Sequence, residues 1–154
     1  MKKIFLLLVL FLGFHSSWAH DGEKDGIFYN LNRKDKTASV TFLGDSYNDY
    51  SDEYSGAIVI PETVIIYGTR YSVTSLGDDC FRDCSSLTSI TIPNSITSLG
   101  EGCFRGCSSL TSITIPISVT SLGEWCFEDC SSLTSITIPN SVTSLGGGCF
   151  HGCI

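Results

Sequence analysis

Apolar residues in the second half of the chain recur with a period of 23 residues. The segment Val-Thr-Ser-Leu-Gly begins at Val73, and it returns, with Ile or Val in first place, at Ile96, Val119 and Val142. This spacing defines three complete units and a partial fourth, which occupy residues 73–95, 96–118, 119–141 and 142–154. So short a period predicts a solenoid, because one unit cannot bury its apolar side alone and must stack on its neighbours.

Each unit contains two patterns that predict different local structures. Ile90 and Ile92 alternate with polar residues ahead of Pro93, which predicts a short strand that ends at the proline. Apolar residues also occupy positions 76, 80, 81, 84 and 87, and these gaps of three and four favour one face of a short helical turn. The predicted fold is therefore an α/β repeat solenoid, with one parallel strand and one helical turn in every 23-residue repeat.

Residues 20–72 precede the repeats and predict a β-rich region. Two alternating segments, 26–31 and 37–43, predict a hairpin, and a second hairpin is predicted with its turn at residues 68–69. Residues 57–61 resemble the strand end of a degenerate repeat. We interpret this region as an N-terminal β-hairpin cap, because a solenoid needs its first edge covered.

Residues 1–19 have the features of a secretory signal peptide. Two lysines follow Met1, Ile4–Phe14 is an apolar run of eleven residues, and Ser17 and Ala19 place small residues before a cleavage site. A membrane-spanning helix needs about 20 apolar residues, so this run is too short to be one. The sequence therefore predicts a mature chain that has no membrane span and is secreted or held at the cell surface.

The charge of the chain narrows the choice of partners. It carries 16 acidic and 9 basic residues, which gives a formal net charge of −7. An excess of negative charge repels nucleic acid and anionic membrane surfaces, so we predict no nucleic-acid partner. The hydrophobic content of 42% is also too high for a disordered chain.

The eight cysteines all lie in the repeats, as pairs of the form Cys-Phe-x-x-Cys. A disulfide within a pair is disfavoured, because residues four apart on a helical turn have Cβ atoms about 5–6 Å apart, whereas a disulfide needs about 3.8 Å. Disulfides between neighbouring repeats remain an alternative for one column, and a zinc site built from two pairs is less favoured. We interpret the cysteines primarily as buried free thiols that pack like small hydrophobic residues.

The sequence predicts no catalytic, cofactor-binding or metal-binding residues. His151 lies near Cys149, as in a Cys/His catalytic pair, but the other repeats carry arginine or glutamate in its column, which indicates an exposed variable position. The acidic segment Asp45–Tyr54 offers carboxylates for calcium, but it lacks the glycine that an EF-hand loop requires. We interpret that segment as a solvated loop.

The repeat pattern resembles a known family. Leu-x-x-Ile-x-Ile-Pro-x-x-Val-x-x-Leu-Gly-x-x-x-Phe-x-x-Cys, read over residues 73–154, is similar to the BspA-like (Treponema-type) leucine-rich repeats of secreted and surface proteins. Residues 56–64 resemble the N-terminal region of this family. The resemblance implies adhesion to host matrix proteins or to other cells. One departure is that cysteine replaces the alanine that usually precedes the phenylalanine, at Cys80, Cys103, Cys126 and Cys149.

Alternation in the predicted strands also places three pairs of hydroxyl side chains in register, as three rows of one flat face of the solenoid, where they can donate and accept hydrogen bonds: Ser89/Thr91, Ser112/Thr114 and Ser135/Thr137. The predicted ligand-binding residues are these six and the flanking Thr88, Thr111 and Thr134. Trp125 and Ile117 interrupt otherwise polar columns and are candidate contact anchors. We predict a non-enzymatic module that binds an extracellular protein or glycan.

Two other functions remain open from the sequence. One is a structural component that associates end to end through an uncapped C-terminal repeat edge, because an uncovered strand edge favours pairing with another chain. The other is an ordered Ser/Thr array that binds ice or a crystal surface.

Overall fold

The computed structural model of the protein describes residues 20–44 and 52–153. Within these segments it contains twelve strands and no helix. The predicted signal peptide and residues 45–51 of the acidic segment lie outside the described residues. The strands are β1 (Gly22–Lys24), β2 (Ile27–Asn32), β3 (Thr37–Thr41), β4 (Gly56–Val59), β5 (Thr63–Ile66), β6 (Thr69–Leu76), β7 (Leu87–Thr91), β8 (Ser98–Leu99), β9 (Ser112–Thr114), β10 (Ser121–Leu122), β11 (Ser135–Thr137) and β12 (Ser144–Leu145).

The N-terminal region forms hairpins that lead into the sheet of the repeats. β1, β2 and β3 form an antiparallel meander, and β3 pairs in parallel with β6. β5 and β6 form a second hairpin, whose turn consists of Tyr67 (φ 50°) and Gly68 (φ 76°). Positive φ at both central residues is typical of the type I′ turn, whose twist matches that of the flanking strands. Both predicted hairpins are confirmed, and the second turn lies one residue earlier than predicted.

Each complete repeat contributes two strands, not one. β8, β10 and β12 are Ser-Leu pairs that stack in parallel on β6 and extend its sheet. β7, β9 and β11 carry the predicted Ser-Ile-Thr pattern and lie outside that sheet. Leu99 and Leu122 of the Ser-Leu strands are buried in the core. Two residues followed by glycine are too few to show alternation, which is why the sequence pattern did not predict these strands.

The predicted helical turn is wrong. The segment that contains Asp79, Phe81 and Asp83 forms turns whose main-chain N–H groups donate to the next repeat. Asp79 donates to the carbonyl of Glu101 at 2.8 Å, and Phe81 donates to that of Cys103 at 2.9 Å. An α-helix would donate these N–H groups to carbonyls four residues earlier in the same segment. The three- and four-residue spacing of apolar positions is therefore produced by stacked turns.

Two columns of each turn segment require a left-handed backbone, which a helix cannot accommodate. Positive φ occurs in every repeat at these columns, so glycine or aspartate occupies seven of the eight positions. The eight residues are Asp79, Gly102, Trp125 and Gly148 in one column, and Asp83, Gly106, Asp129 and Gly152 in the other. The need for this conformation explains why two columns that vary in sequence vary almost entirely between glycine and aspartate.

A stack of aromatic rings runs along the core. The rings of consecutive repeats lie 5.2, 5.3 and 5.5 Å apart between centroids and are almost parallel. The stack consists of Phe81, Phe104, Phe127 and Phe150. Tyr54 packs on its first ring at 4.8 Å, and its hydroxyl donates to the carbonyl of Thr41 at 2.7 Å. Tyr54 is 1% exposed, so its assignment to a solvated loop was wrong.

Replacing Tyr54 with phenylalanine should lower the free energy of unfolding by about 1–3 kcal/mol. The phenol oxygen accepts from the N–H of Phe28 at 3.1 Å and donates to Thr41, so its removal leaves two polar main-chain groups without this partner. Urea denaturation followed by circular dichroism would measure the loss. The matched control is Tyr67→Phe, because Tyr67 is 81% exposed and its variant should stay within about 0.5 kcal/mol of the unmodified protein.

Candidate binding surface

The predicted hydroxyl residues lie on the surface of the solenoid. Ile90 and Ile113 are buried beneath them, since successive side chains of a strand point to opposite sides. Leu87 is buried as well, because the pairing of β7 with β4 shifts register between Leu87 and Ser89. All nine hydroxyl residues are exposed, and we refer to them together as the hydroxyl face: Thr88, Ser89, Thr91, Thr111, Ser112, Thr114, Thr134, Ser135 and Thr137.

The rows of the hydroxyl face are only partly continuous. β9 and β11 pair in parallel, so that Ser112 lies level with Ser135 and Thr114 lies level with Thr137. β7 pairs with β4 and belongs to a separate two-stranded sheet. The expectation of one continuous plane of three rows was therefore wrong. The repeats remain joined there because β6, β8 and β10 stay hydrogen-bonded in the other sheet.

A cleft of about 260 Å³ lies between the separated strands β7 and β9. Its lining combines apolar side chains with two hydroxyls and one amide, so it can bury an apolar group while hydrogen-bonding polar groups beside it. The lining residues are Ile90, Thr91, Ile92, Asn94, Thr114 and Pro116. Two of these residues, Thr91 and Thr114, also belong to the hydroxyl face, so the cleft lies within that surface.

Sequence reasoning missed an apolar extension of the hydroxyl face in β4. The strand pairing places Ala57 level with Ser89 and Val59 level with Thr91. Val59 is 66% exposed, although most valines in folded proteins are buried. The signal was present in the sequence, because Ala-Ile-Val-Ile-Pro aligns with Ser-Ile-Thr-Ile-Pro and puts Val59 in the position of the exposed threonine.

The two candidate anchors lie in different parts of the repeat. Ile117 is 78% exposed and directly follows Pro116, which lines the cleft. Trp125 is 39% exposed and lies on the turn segment after β10, not on a strand of the hydroxyl face. Its ring covers Gly148 so closely that a Cβ atom there would overlap it. Trp125 also has a φ of 51°, a strained conformation for a bulky side chain.

All eight cysteines are unbridged in the structure, which is the reduced state of the chain. Seven are buried and Cys153 is partly exposed. Burial raises the pKa of Cys84 to about 12 and that of Cys130 to about 12. Since the thiolate and not the thiol is the nucleophile, these residues are unreactive at neutral pH while the core stays closed.

His151 does not form a reactive pair with a cysteine. Its side chain is 75% exposed, and its Nδ1 atom lies 3.4 Å from a carboxylate oxygen of Glu128. The other carboxylate oxygen of Glu128 lies 2.7 Å from Nε of Arg105 in the preceding repeat. This variable column thus links consecutive repeats through the Arg105–Glu128 ion pair and the contact of Glu128 with His151. Among the described residues, no group of three or more His, Cys, Asp or Glu side chains is arranged to hold a metal ion.

Comparison with known sequences identifies the family. Residues 59–154 match the BspA type leucine rich repeat region in six copies. The chain belongs to this family. The BspA-type match begins at Val59, inside β4, and so includes part of the degenerate repeat inferred at residues 57–61. The family resemblance seen in the sequence is confirmed. No curated protein matches the chain significantly.

Solved structures of leucine-rich repeat proteins share the fold of this BspA-type chain. A leucine rich cell surface protein from Faecalibacterium prausnitzii is 31% identical, with a TM-score of 0.69 over 85% of this chain. This chain spans only 34% of the length of that protein. A leucine-rich repeat protein from Bacteroides capillosus is 26% identical, with a TM-score of 0.67. That match covers 80% of this chain and 86% of the Bacteroides protein. None of these names describes an enzyme.

A third structure, the T. pallidum leucine rich repeat protein, is 22% identical with a TM-score of 0.64, and it supports the fold alone. The match covers 86% of this chain and 67% of that protein. In the part of the BspA-type chain that the structure describes, no helix has the length and apolar character needed to cross a membrane.

Proposed function

We propose that this BspA-type protein is a secreted or cell-surface module that binds a protein or glycan ligand through its hydroxyl face. The observation that carries the proposal is the exposure of nine Ser and Thr side chains on one surface, two of which line a cleft. Hydroxyls that both donate and accept can hydrogen-bond the amides of a protein or the hydroxyls of a sugar. Affinity would come from extended contact together with one group inserted in the cleft.

The chemistry of the surface favours a ligand with both apolar and polar parts. Val59 gives the hydroxyl face an apolar end beside Thr91, and Ile117 adds an exposed apolar side chain next to the cleft. Exposed apolar residues that adjoin polar groups are typical of binding surfaces. Trp125 is a second proposed anchor on the turn side, because backbone strain is retained most often where a side chain has a function.

The proposed location and partner class rest on the sequence and on the relatives of the chain. Residues 1–19 carry the pattern of a signal peptide, and the Faecalibacterium relative is named a cell surface protein. The family resemblance extends the proposal to adhesion, with host matrix proteins or other cells as the partners. The net charge of −7 argues against binding to nucleic acid.

A binding screen with matched variants tests this function. The chain from His20 onward would be passed over immobilised matrix proteins and glycans, and the ligands that retain it would be titrated. The Thr114→Lys, Thr137→Lys double variant places two cations on the hydroxyl face and should weaken binding by about tenfold or more. The control, Thr120→Lys with Thr143→Lys, adds the same charge at exposed residues outside that face.

The control variant should bind as the unmodified chain does. Equal weakening by both double variants would show that the added charge acts without regard to position, which would contradict a site on the hydroxyl face. Retention by none of the immobilised ligands would contradict the adhesion proposal.

End-to-end association is a second candidate function, favoured by the exposure of one leucine. Leu145 of β12 is 55% exposed, whereas Leu122, its counterpart in β10, is 2% exposed. Within the described structure β12 pairs with β10 on one side. Light scattering at increasing concentration should show a rising mass, and Leu145→Lys should abolish the increase. A constant monomer mass would refute this candidate.

A further inference from the structure

The two cysteine columns have different contacts, although they occur in the same four repeats. In the first column the thiols contact one another, and the Sγ atoms of Cys80 and Cys103 lie 3.5 Å apart. The repeats that carry Cys103, Cys126 and Cys149 stack at a similar spacing, since their adjoining phenylalanine rings lie 5.3 and 5.5 Å apart. The first column therefore places one thiol of each repeat in a row along the stack: Cys80, Cys103, Cys126 and Cys149.

In the second column the thiols donate hydrogen bonds to main-chain carbonyl groups instead. Cys107 donates to the carbonyl of Phe81 at 3.0 Å, and Cys130 donates to the carbonyl of Phe104 at 3.1 Å. Cys153 repeats this contact with Phe127 at 3.1 Å. Each of these sulfur atoms is a second donor to a carbonyl of the preceding repeat, which also accepts from a main-chain N–H of its own turn. A disulfide in this column would break these thiol hydrogen bonds.

The spacing of the repeats suits a disulfide in the first column. Paired parallel strands lie about 4.8 Å apart, and a disulfide joins Cα atoms about 4.4–6.8 Å apart. Stacked ring centroids in the adjacent column, 5.2–5.5 Å apart, show that the turn segments keep a similar spacing. A bond requires the sulfur atoms of Cys80 and Cys103 to approach from 3.5 Å to about 2.05 Å.

We infer that the first column is a site of covalent cross-linking between repeats, with disulfides from Cys80 to Cys103 and from Cys126 to Cys149. This pairing uses all four sulfur atoms of the row. A bond between Cys103 and Cys126 would instead leave the two outer thiols without a neighbour. The proposal goes beyond ligand binding, since it concerns what fixes one repeat to the next.

A small-molecule disulfide such as oxidised glutathione supplies the oxidising equivalents. One protein thiolate attacks the oxidant, forms a mixed disulfide and releases one glutathione thiolate. The neighbouring protein thiolate then attacks the protein sulfur of the mixed disulfide and releases the second. Each link thus consumes two protein thiols and one oxidant disulfide and yields two reduced glutathione molecules, which carry the two protons. The thiols react as the chain folds, before the core closes over them.

Refolding in a glutathione redox buffer, followed by alkylation and peptide mapping, tests the proposal. The reduced chain from His20 onward would be refolded, alkylated under denaturing conditions and digested with trypsin and a glutamate-specific protease. Peptide 71–82 then contains Cys80 as its sole cysteine, and peptide 102–105 contains Cys103. Peptide 125–128 likewise contains Cys126 alone. We expect four alkylated thiols, a link between the first two peptides, and a link from the third to the C-terminal peptide.

Single substitutions in the last repeat provide matched controls. Cys149→Ser should release the Cys126 peptide in alkylated form. Cys153→Ser, in the second column, should leave the link between the Cys126 peptide and the C-terminal peptide intact. Circular dichroism would verify that each refolded variant keeps the strand content of the unmodified chain. Eight alkylated thiols, links within a Cys-Phe-x-x-Cys pair, links in the second column, or links only between separate chains would each overturn the proposal.

Discussion

Replacing Phe104 with alanine should lower the free energy of unfolding by about 4 kcal/mol. The Phe104 ring is fully buried and stacks between Phe81 and Phe127, with centroids 5.2 and 5.3 Å away. Alanine would remove both stacking contacts and leave a cavity that the two neighbouring repeats cannot fill without losing their register. Urea denaturation, followed by Trp125 fluorescence and circular dichroism, would measure the effect.

The matched control lies in the same repeat. Ile117 is 78% exposed, so Ile117→Ala should change the free energy of unfolding by no more than about 0.5 kcal/mol. A loss below about 1 kcal/mol for Phe104→Ala would contradict the continuous aromatic stack, because single large-to-small substitutions in a packed core cost more than that.

Replacing Gly123 with alanine should lower the free energy of unfolding by about 3 kcal/mol. A Cβ atom on Gly123 would overlap main-chain atoms of Gly100 and Glu101 in the preceding repeat, and main chain cannot rotate away as a side chain can. The shift needed to relieve the overlap would also break the hydrogen bond from the N–H of Gly123 to the carbonyl of Leu99, at 2.9 Å. Thermal and urea unfolding of the variant would measure the loss.

Gly147 provides the control for Gly123. A Cβ atom on Gly147 would have no atom within 4 Å, and the other repeats carry Asp78, Glu101 and Glu124 in its column. Gly147→Ala should leave the stability unchanged or raise it by up to about 1 kcal/mol, since alanine restricts the unfolded chain. Equal destabilisation by the two alanine substitutions would mean that the main chains of successive repeats do not approach each other at Gly123.

The repeat register and the direction of the strands could be predicted because both follow from a period that recurs without insertions. Identical spacing places like residues in columns, and the alternation of Ile90 with Ser89 and Thr91 fixes which of them face the solvent. The exposure of the hydroxyl face therefore followed from local pattern alone. The degenerate strand at residues 57–61 was also recognisable, but its exposed Val59 was not connected with the surface.

The turn segments show why the three- and four-residue spacing of apolar residues led to the incorrect prediction of a helical turn. Positions 76, 80, 81, 84 and 87 fit a helical face, but Asp79 and Asp83 have left-handed φ values that interrupt any helix. Comparison of the repeats would have indicated the left-handed backbone, because Gly102 and Gly106 replace these aspartates and both residue types tolerate a positive φ. Local spacing alone does not show a conformation that is stabilised by hydrogen bonds to the next repeat.

Contacts between distant segments could not be predicted from the repeat pattern. Tyr54 looks like part of an acidic loop in the sequence, yet it is buried on Phe81 and bonded to Thr41. The separation of β7 from β9 is likewise invisible in the sequence, because the strand residues of the two repeats are identical. Nothing in the residues of β7 and β9 themselves explains it.

Scalar coupling across hydrogen bonds, measured by NMR on the isotope-labelled chain, tests most directly whether successive repeats stack in register. The N–H of Phe104 donates to the carbonyl of Cys126 at 2.8 Å, and that of Phe127 donates to Cys149 at 2.8 Å. We therefore predict correlations from the Phe104 nitrogen to the Cys126 carbonyl carbon and from the Phe127 nitrogen to that of Cys149. Correlation of Phe104 with Gly100, the partner it would have in a helix, would contradict the stacked-turn solenoid.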